Sequence, residues 1–353
     1  MLGVVTLHTL GHGGALNAAH GSTRGILWLI EVLCYPSVNV FVLMSGYLSS
    51  RRLSSHAKRV LSLWVQSVFY GLLIMCVGFV TGLNSFSPRL LLQVLSPLVH
   101  RTWWFLSDFV AATLLFPLAD VFVARSSKGE VGFVSLSIVC LLSVVSTLGH
   151  FITTQDAFTL HLGYSSMWFV ALYTLGSCLK AYEDKVRLTT PSLLAGMILS
   201  TIFTWWWKLW GGLYLQGLLG NDTSDVFLNY TSPTVLMSAL CLVLAFSRLQ
   251  FSLELPRRIL SVCAPLSFGV YLLSDHPSIR EWAIASRFAY IGELGPAKAV
   301  LSLVAAVLMV LVVGLLVDWI RNGLFSILGI QTRITTLVNR TKLRVEANNN
   351  TNT

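Results

Sequence analysis

Long apolar runs separated by short polar segments organise this chain. They fall at residues 1–16, 25–48, 60–82, 102–123, 131–150, 164–179, 191–207, 234–246, 259–274 and 297–320. Most approach the ~20 residues that a helix needs to cross a bilayer, and the run at 234–246 is the weakest of them. The pattern predicts an all-α fold, a polytopic transmembrane bundle of about ten spanning helices. One short polar-edged segment, 87–97, is bounded by Pro88 and Pro97 and is expected to lie along the membrane surface as an amphipathic helix.

Composition agrees with the pattern. Of 353 residues 55% are hydrophobic and only 11% charged, and the mean hydropathy is +0.73. Soluble domains run near a quarter charged, so a soluble protein is excluded. The net charge of +9 would point to nucleic acid in a soluble chain. Here the cations sit in short loops, where they orient helices in the membrane, and no nucleic-acid partner is expected. If the loops at 51–59, 125–130, 180–187 and 248–258 and everything after Ile320 face the cytoplasm, that side holds 17 Lys and Arg against 7 opposite. This asymmetry predicts a multi-pass protein of a bacterial plasma membrane with both termini cytoplasmic.

The first run is too short for a spanning helix that places His8 at mid-depth, which needs about ten more residues. Met1 has no polar or basic flank, and neither mark of a signal peptide is visible. The expectation is therefore an integral membrane domain at 1–344 whose first helix lacks its beginning, as if the start codon had been assigned too late. A polar and disordered tail is expected at 345–353. Six cysteines all fall inside apolar runs without regular spacing, which reads as small buried hydrophobes rather than a disulfide framework or a thiolate metal site. Trp103, Trp104, Trp205, Trp206, Trp207 and Trp210 gather at the predicted outer ends as an aromatic belt. Two glycosylation sequons, at Asn221 and Asn229, carry little weight because short sequons arise by chance.

Ionisable side chains inside apolar runs are costly and are functional candidates by default. His8 and His12 are spaced i, i+4 and share one helix face. An imidazole titrates near neutrality and can take a proton from a hydroxyl, as acyl transfer to an alcohol requires. A histidine satisfied by a neighbouring hydroxyl or carbonyl is the plainer reading. A metal site is disfavoured because no third ligand stands out and no glutamate lies between the two histidines. Arg51 and Arg52 close the segment 36–52, PSVNVFVLMSGYLSSRR, and can clamp the phosphates of a nucleotide-based donor; simple membrane topology also explains them. Trp104 and Asp108 lie one turn apart, where Asp108 can orient the histidine, hold a sugar hydroxyl, or pair with Arg101. Glu31 has Arg24 as a possible neutralising partner. Asp275 and His276 end the ninth run before Pro277, at a position suited to an acceptor. Gly46, after Ser45, reads as a residue of close helix packing.

Together these residues resemble the membrane acyltransferase-3 family over nearly the whole chain. The resemblance rests on LHTLGHGG (7–14), NVFVLMSGYLSSRR (39–52), LSLWVQSVFY (61–70), WFLSDFVAATLLFPLAD (104–120) and SFGVYLLSDHPSIR (267–280). Any one is weak; five in this order are specific to the family and not to a substrate. The resemblance implies transfer of an acyl group, usually acetyl, from acyl-CoA to a hydroxyl of a cell-surface polysaccharide or related glycan, with no bound cofactor. His8 is similar to the histidine of the family's R-x10-H pattern, whose arginine would fall before Met1. Arg51 resembles the basic residue after the family's SG(F/Y)L stretch. The implied mechanism binds acyl-CoA from the cytoplasm near Arg51 and Arg52, with His8 as general base beside that basic mouth. The competing reading is a transporter or flippase for a lipid-linked glycan, which predicts internal repeats and matched broken helices; neither is evident. A structural scaffold would not need histidines at depth.

Overall fold

The computed structural model describes residues 1–50, 52–85, 87–185, 187–249 and 254–351, and among these every regular element is helical. The principal helices are α1 (Leu2–Leu10), α2 (Gly21–Cys34), α3 (Ser37–Tyr47), α4 (Leu53–Val80), α5 (Pro88–Leu95), α6 (Trp104–Arg125), α7 (Lys128–Thr153), α8 (Ser166–Tyr182), α9 (Thr190–Trp206), α10 (Pro233–Ser247), α11 (Glu254–Ser274), α12 (Pro296–Ile327) and α13 (Ile330–Thr351).

Polar residues start these helices where the sequence breaks its apolar runs. Ser87, Ser165, Thr189 and Ser232 each accept a backbone N–H of the first turn of α5, α8, α9 and α10. Ser127 and Glu130 form a reciprocal capping box at α7. Such caps satisfy donors that a helix start leaves free, a need made acute where lipid offers no alternative partner. Proline just inside α5, α9, α10 and α12 costs nothing there, because the missing N–H has no helical partner anyway.

All ten apolar runs are helical, but their lengths differ. Five helices are long and apolar enough to cross a membrane: the joined α2–α3 (Gly21–Tyr47), α4, α6, α7 and α12. A sixth follows if α11 and the segment Pro277–Ile284, bent by 68° at the break, count as one span. The count by length is thus smaller than the expected ten. α8 and α10, at 17 and 15 residues, and α1, at 9, are apolar helices of less than full span. Leu114, Leu118 and Val121 of α6 and Leu301, Val304, Leu308, Val312 and Leu316 of α12 are exposed on the outside of the bundle, an apolar exterior that suits a hydrocarbon surround.

Two buried clusters hold the bundle. One joins α3, α6, α8 and α10 through Leu43, Phe116, Trp168, Tyr173 and Leu236. The other joins the α1 and α2 regions to α11 and α12 through Leu10, Leu27, Val270 and Leu303. Asn39 of α3 is fully buried; its amide donates to the Tyr230 carbonyl at 2.8 Å and accepts from Trp168 Nε1 at 3.2 Å. At the far end of α3 the Tyr47 hydroxyl donates to Glu183 just beyond α8. The neighbouring Lys180 ammonium, with Tyr47, holds the Glu183 carboxyl below the ordinary glutamate range.

The α3–α8 crossing depends on two glycines. A Cβ at Gly46 would stand 2.0 Å from the Tyr173 carbonyl oxygen, and one at Gly176 would stand 2.0 Å from that of Leu43. Each helix therefore uses its glycine to admit the other's backbone, as small residues do in membrane bundles. This is the packing role expected for Gly46. Gly46→Ala forces α3 and α8 apart, at a cost of roughly 1–3 kcal/mol; thermal unfolding of the purified variant in detergent measures it as a lowered midpoint. The expected outer tryptophans divide. Trp103 is buried, with Nε1 donating to the Leu272 carbonyl at 2.8 Å, while Trp205 and Trp207 donate to the Gly25 and Thr223 carbonyls at 2.7 and 2.8 Å.

Candidate active site

The residues Met1, Val4, His8, Gly11 and His12 recur at helical spacing, so one face of α1 carries them all. That face lines a cavity of about 250 Å³, whose opposite walls are Glu31 and Tyr35 at the end of α2, Phe41 of α3, Trp104 of α6, and Phe268 and Tyr271 of α11. Met1 and His8 stand seven positions apart along α1, about 10 Å of helical rise, and Gly11 and His12 extend the lining just beyond the helix end. Just past His12 the chain turns back at Gly14, whose φ of 83° is a conformation that glycine adopts without strain. The segment after the α11 break pairs with this turn, Ser286 N–H donating to the His12 carbonyl at 3.2 Å and Phe288 N–H to that of Gly13 at 2.9 Å. The histidine face is thus clamped at its C-terminal end.

His8 is held by the last residue of α11. Its Nδ1 lies 3.1 Å from Ser274 Oγ, and the Ser274 hydroxyl in turn points to the Tyr271 carbonyl at 3.4 Å. With the hydroxyl proton directed to that carbonyl, Ser274 accepts from Nδ1–H. The lone pair of neutral His8 then sits on Nε2. This nitrogen is 3.8 Å from Asp275 Oδ1, and Arg280 Nη1 lies 3.8 Å from the same oxygen. Asp275 is only 3% exposed. The helix break between Ser274 and Pro277 bends the path by 68° and leaves Asp275 just past the end of α11 beside His8; Pro277 cannot continue the hydrogen-bond ladder. His12 is more exposed, with its ring centroid 5.7 Å from that of His8.

On the other wall, aromatic rings pack around a carboxylate. Trp104 stacks near Tyr164 and Tyr230 at 4.4 and 5.9 Å between centroids, and Tyr35 stacks on Tyr230 at 4.8 Å. Glu31 is buried among them, and its Oε2 has no hydrogen-bond partner among the described residues. An orphaned buried carboxylate oxygen facing a cavity is an unusual feature that a bound hydroxyl would satisfy.

The sequence candidates therefore divide. His8, His12, Glu31, Trp104 and Asp275 share the cavity. Asp108 does not line it: its carboxylate takes Arg101 Nη2 at 2.6 Å and Ser166 Oγ at 3.0 Å, the last of the three alternatives that the sequence left open. Glu31 is not neutralised by Arg24, which makes no hydrogen bond or ion pair to it. Arg51 lies outside the described residues. Arg52 is exposed at the start of α4, at the bundle end opposite Trp104. The two ends are separated by most of α6: from Phe105 at the cavity to Asp120 near α4 is about 22 Å by helical rise. Arg52, the described member of the pair, is not brought to His8, because α1 meets the other cavity residues toward the Trp104 end. Tyr35, Tyr164, Tyr230, Tyr271 and Ser274 were not singled out by sequence. Only Tyr271 and Ser274 fall in a recognisable motif, whereas the tyrosines from three distant segments converge through tertiary contacts alone.

No curated protein and no solved structure matches the chain. The profile of a family described as an acyltransferase domain matches residues 1–320 of the 353, covering every element of the cavity. The chain belongs to the acyltransferase-3 family and is a membrane acyltransferase, an enzyme transferring groups other than aminoacyl groups.

Proposed function

We propose that the protein is an O-acyltransferase that moves an acyl group, acetyl in the simplest case, from acyl-CoA to a hydroxyl of a cell-surface polysaccharide or related glycan. The observation that carries this reading is the posture of His8. Ser274 holds Nδ1–H, Asp275 stands beside Nε2, and Nε2 faces a cavity large enough for two reacting groups. In the reaction Nε2 removes the proton from the acceptor hydroxyl as its oxygen attacks the thioester carbonyl. The Asp275 carboxylate stabilises the imidazolium so formed. Collapse of the tetrahedral intermediate breaks the C–S bond, and the imidazolium returns its proton to the departing CoA thiolate.

The opposite wall suits the acceptor. Aromatic faces of Trp104 and Tyr164 pack against the C–H faces of a pyranose, and Glu31 Oε2 accepts from a sugar hydroxyl. His12 stands nearer the mouth as a second candidate group for proton transfer. Acyl-CoA enters from the cytoplasm, at the end that carries Arg52, and its thioester reaches His8 along the cavity face of α1. On this reading the protein sits in a bacterial plasma membrane, with both termini cytoplasmic and the Trp104 end outward.

Membranes containing the protein, incubated with acetyl-labelled acetyl-CoA and glycan, should transfer label to glycan. Glycan translocation without label transfer would replace this reading by that of a flippase. Asp275→Asn preserves shape and removes the charge. Two unit charges ~4 Å apart attract by about 4 kcal/mol at an effective dielectric of ~20. Losing that attraction lowers the turnover number by about 10²- to 10³-fold. The acceptor KM should change little, because Asp275 acts on charge that develops after binding.

A further inference from the structure

The cavity wall opposite α1 holds a buried carboxylate and no cation to match it. Glu31 is 8% exposed, and its Oε2 has no hydrogen-bond partner among the described residues. The basic side chains among the described lining residues are His8 and His12, and neither Lys nor Arg reaches this wall. Tyr35 N–H donates to the Glu31 carbonyl at 2.9 Å, so one helical turn sets both side chains on the same face. Four aromatic rings line the cavity together with this carboxylate: Tyr35, Trp104, Tyr164 and Tyr230. Ring centroids are 4.4 Å apart for Trp104 and Tyr164, 5.1 Å for Tyr164 and Tyr230, and 4.8 Å for Tyr35 and Tyr230. The backbone fixes this group of rings. Tyr230 N–H donates to the Leu162 carbonyl at 3.1 Å, and the Tyr230 carbonyl accepts from the Asn39 amide at 2.8 Å.

A carboxylate taken out of water needs both a hydrogen-bond donor and an opposite charge. A sugar hydroxyl at Oε2 provides the donor and leaves the charge uncompensated. The faces of tyrosine and tryptophan attract cations, so the rings favour a positive group in the same place. A protonated amine answers every part of the wall: its N–H donates to Oε2, its charge pairs with the carboxylate, and its surface packs on the rings. A quaternary ammonium matches the rings but has no N–H for the oxygen. We infer that the acceptor carries a free amino group, which Glu31 binds as an ammonium among Tyr35, Trp104, Tyr164 and Tyr230. The acceptor class is then a glycan that contains an amino sugar with its nitrogen unacylated. This deepens the O-acyltransferase reading above and rests on it. The amine anchors the sugar chain while a hydroxyl is presented to His8, and Glu31 determines specificity without taking part in proton transfer.

The test measures binding by equilibrium dialysis of two radiolabelled probes, a glucosamine tetramer and its fully N-acetylated counterpart, near neutral pH. The full chain is held in phosphatidylcholine nanodiscs, which leave both faces accessible. The wild-type protein should bind the glucosamine tetramer about tenfold or more tighter, the scale of one charge-assisted hydrogen bond. Glu31→Gln keeps the shape, removes the charge and should abolish the preference, with binding of the N-acetylated tetramer little changed. Tyr164→Leu keeps the carboxylate and removes one aromatic face, and should reduce the preference about threefold. A merely structural defect weakens both probes alike and leaves their ratio intact. Glu281→Gln, which removes an exposed charge beyond the α11 break, should leave the ratio unchanged.

Failure of the wild-type protein to bind the glucosamine tetramer more tightly than the N-acetylated one overturns the site. A preference that persists in both Glu31→Gln and Tyr164→Leu does the same. With acetyl-labelled acetyl-CoA present, label on the glucosamine tetramer should be released by mild alkali, as an ester is. Label that resists alkali as an amide would make the amine the acyl acceptor and overturn its role as an anchor. Preference in binding without any label transfer leaves the amine site standing and overturns the O-acyltransferase reading, a distinct result.

Discussion

His8→Ala is expected to lower the turnover number by about 10²- to 10⁴-fold, the usual contribution of a general base, while the protein keeps its elution profile in detergent. The side chain is held by one hydrogen bond, from Nδ1 to Ser274 Oγ at 3.1 Å, and it borders a cavity rather than filling a packed core. Its loss therefore removes chemistry more than stability. Two companion measurements separate the roles of the neighbours. Ser274→Ala frees the ring to rotate and should reduce the rate by less than the loss of His8, because the base is still present but less well oriented. His12→Ala should have the smaller effect of the two histidines, since its ring lies at 5.7 Å from that of His8 and has no pairing with Asp275. Label transfer to glycan from acetyl-CoA at wild-type rate in His8→Ala would remove this residue from the mechanism.

Asp318→Ala is expected to be the most destabilising single change in the bundle, at about 3–5 kcal/mol. Asp318 of α12 is fully buried and accepts four hydrogen bonds. Arg321 donates through Nε at 2.5 Å and Nη2 at 2.9 Å, the Tyr70 hydroxyl at 2.8 Å and Gln66 Nε2 at 3.2 Å. Removing the carboxylate leaves the Arg321 guanidinium, itself 6% exposed, as an uncompensated charge in the interior, and it cuts the polar link between α4 and α12. Membrane-reconstituted protein should unfold at markedly lower temperature or denaturant. Asp318→Asn combined with Arg321→Met keeps the Tyr70 and Gln66 bonds and removes both charges. It should recover most of the loss, because a buried pair contributes little beyond what neutral packing supplies. A single Asp318→Ala variant as stable as wild type would contradict this account.

These two sites show where reading along the chain succeeds and where it stops. The histidines were legible because an ionisable group in an apolar run is expensive wherever it sits, and the i, i+4 spacing placed both on one helix face. Gly46 was legible for the same local reason. Arg321 was not: following Ile320 at the end of a run, it read as one more tail cation, yet α12 continues to Ile327 and folds it inward against Asp318. Composition cannot distinguish a cation leaving the membrane from one buried three residues after its counter-ion. Asp108 failed similarly, since its choice between Arg101 and a histidine depends on which helix end faces it.

The helical class, the membrane setting, the family and the shared face of His8 and His12 followed from local properties: hydropathy, spacing and motif order, each carried by residues close in sequence. Convergence was decided only by tertiary structure. Glu31, Trp104, Tyr164, Tyr230, Ser274 and Asp275 come from five segments, and their meeting around His8 depends on helix crossings set by contacts such as Gly46 with Tyr173. The distance of that cavity from the basic end of α4 was likewise invisible beforehand, because the bearing of one helix on another is a property of packed surfaces and not of either sequence taken alone.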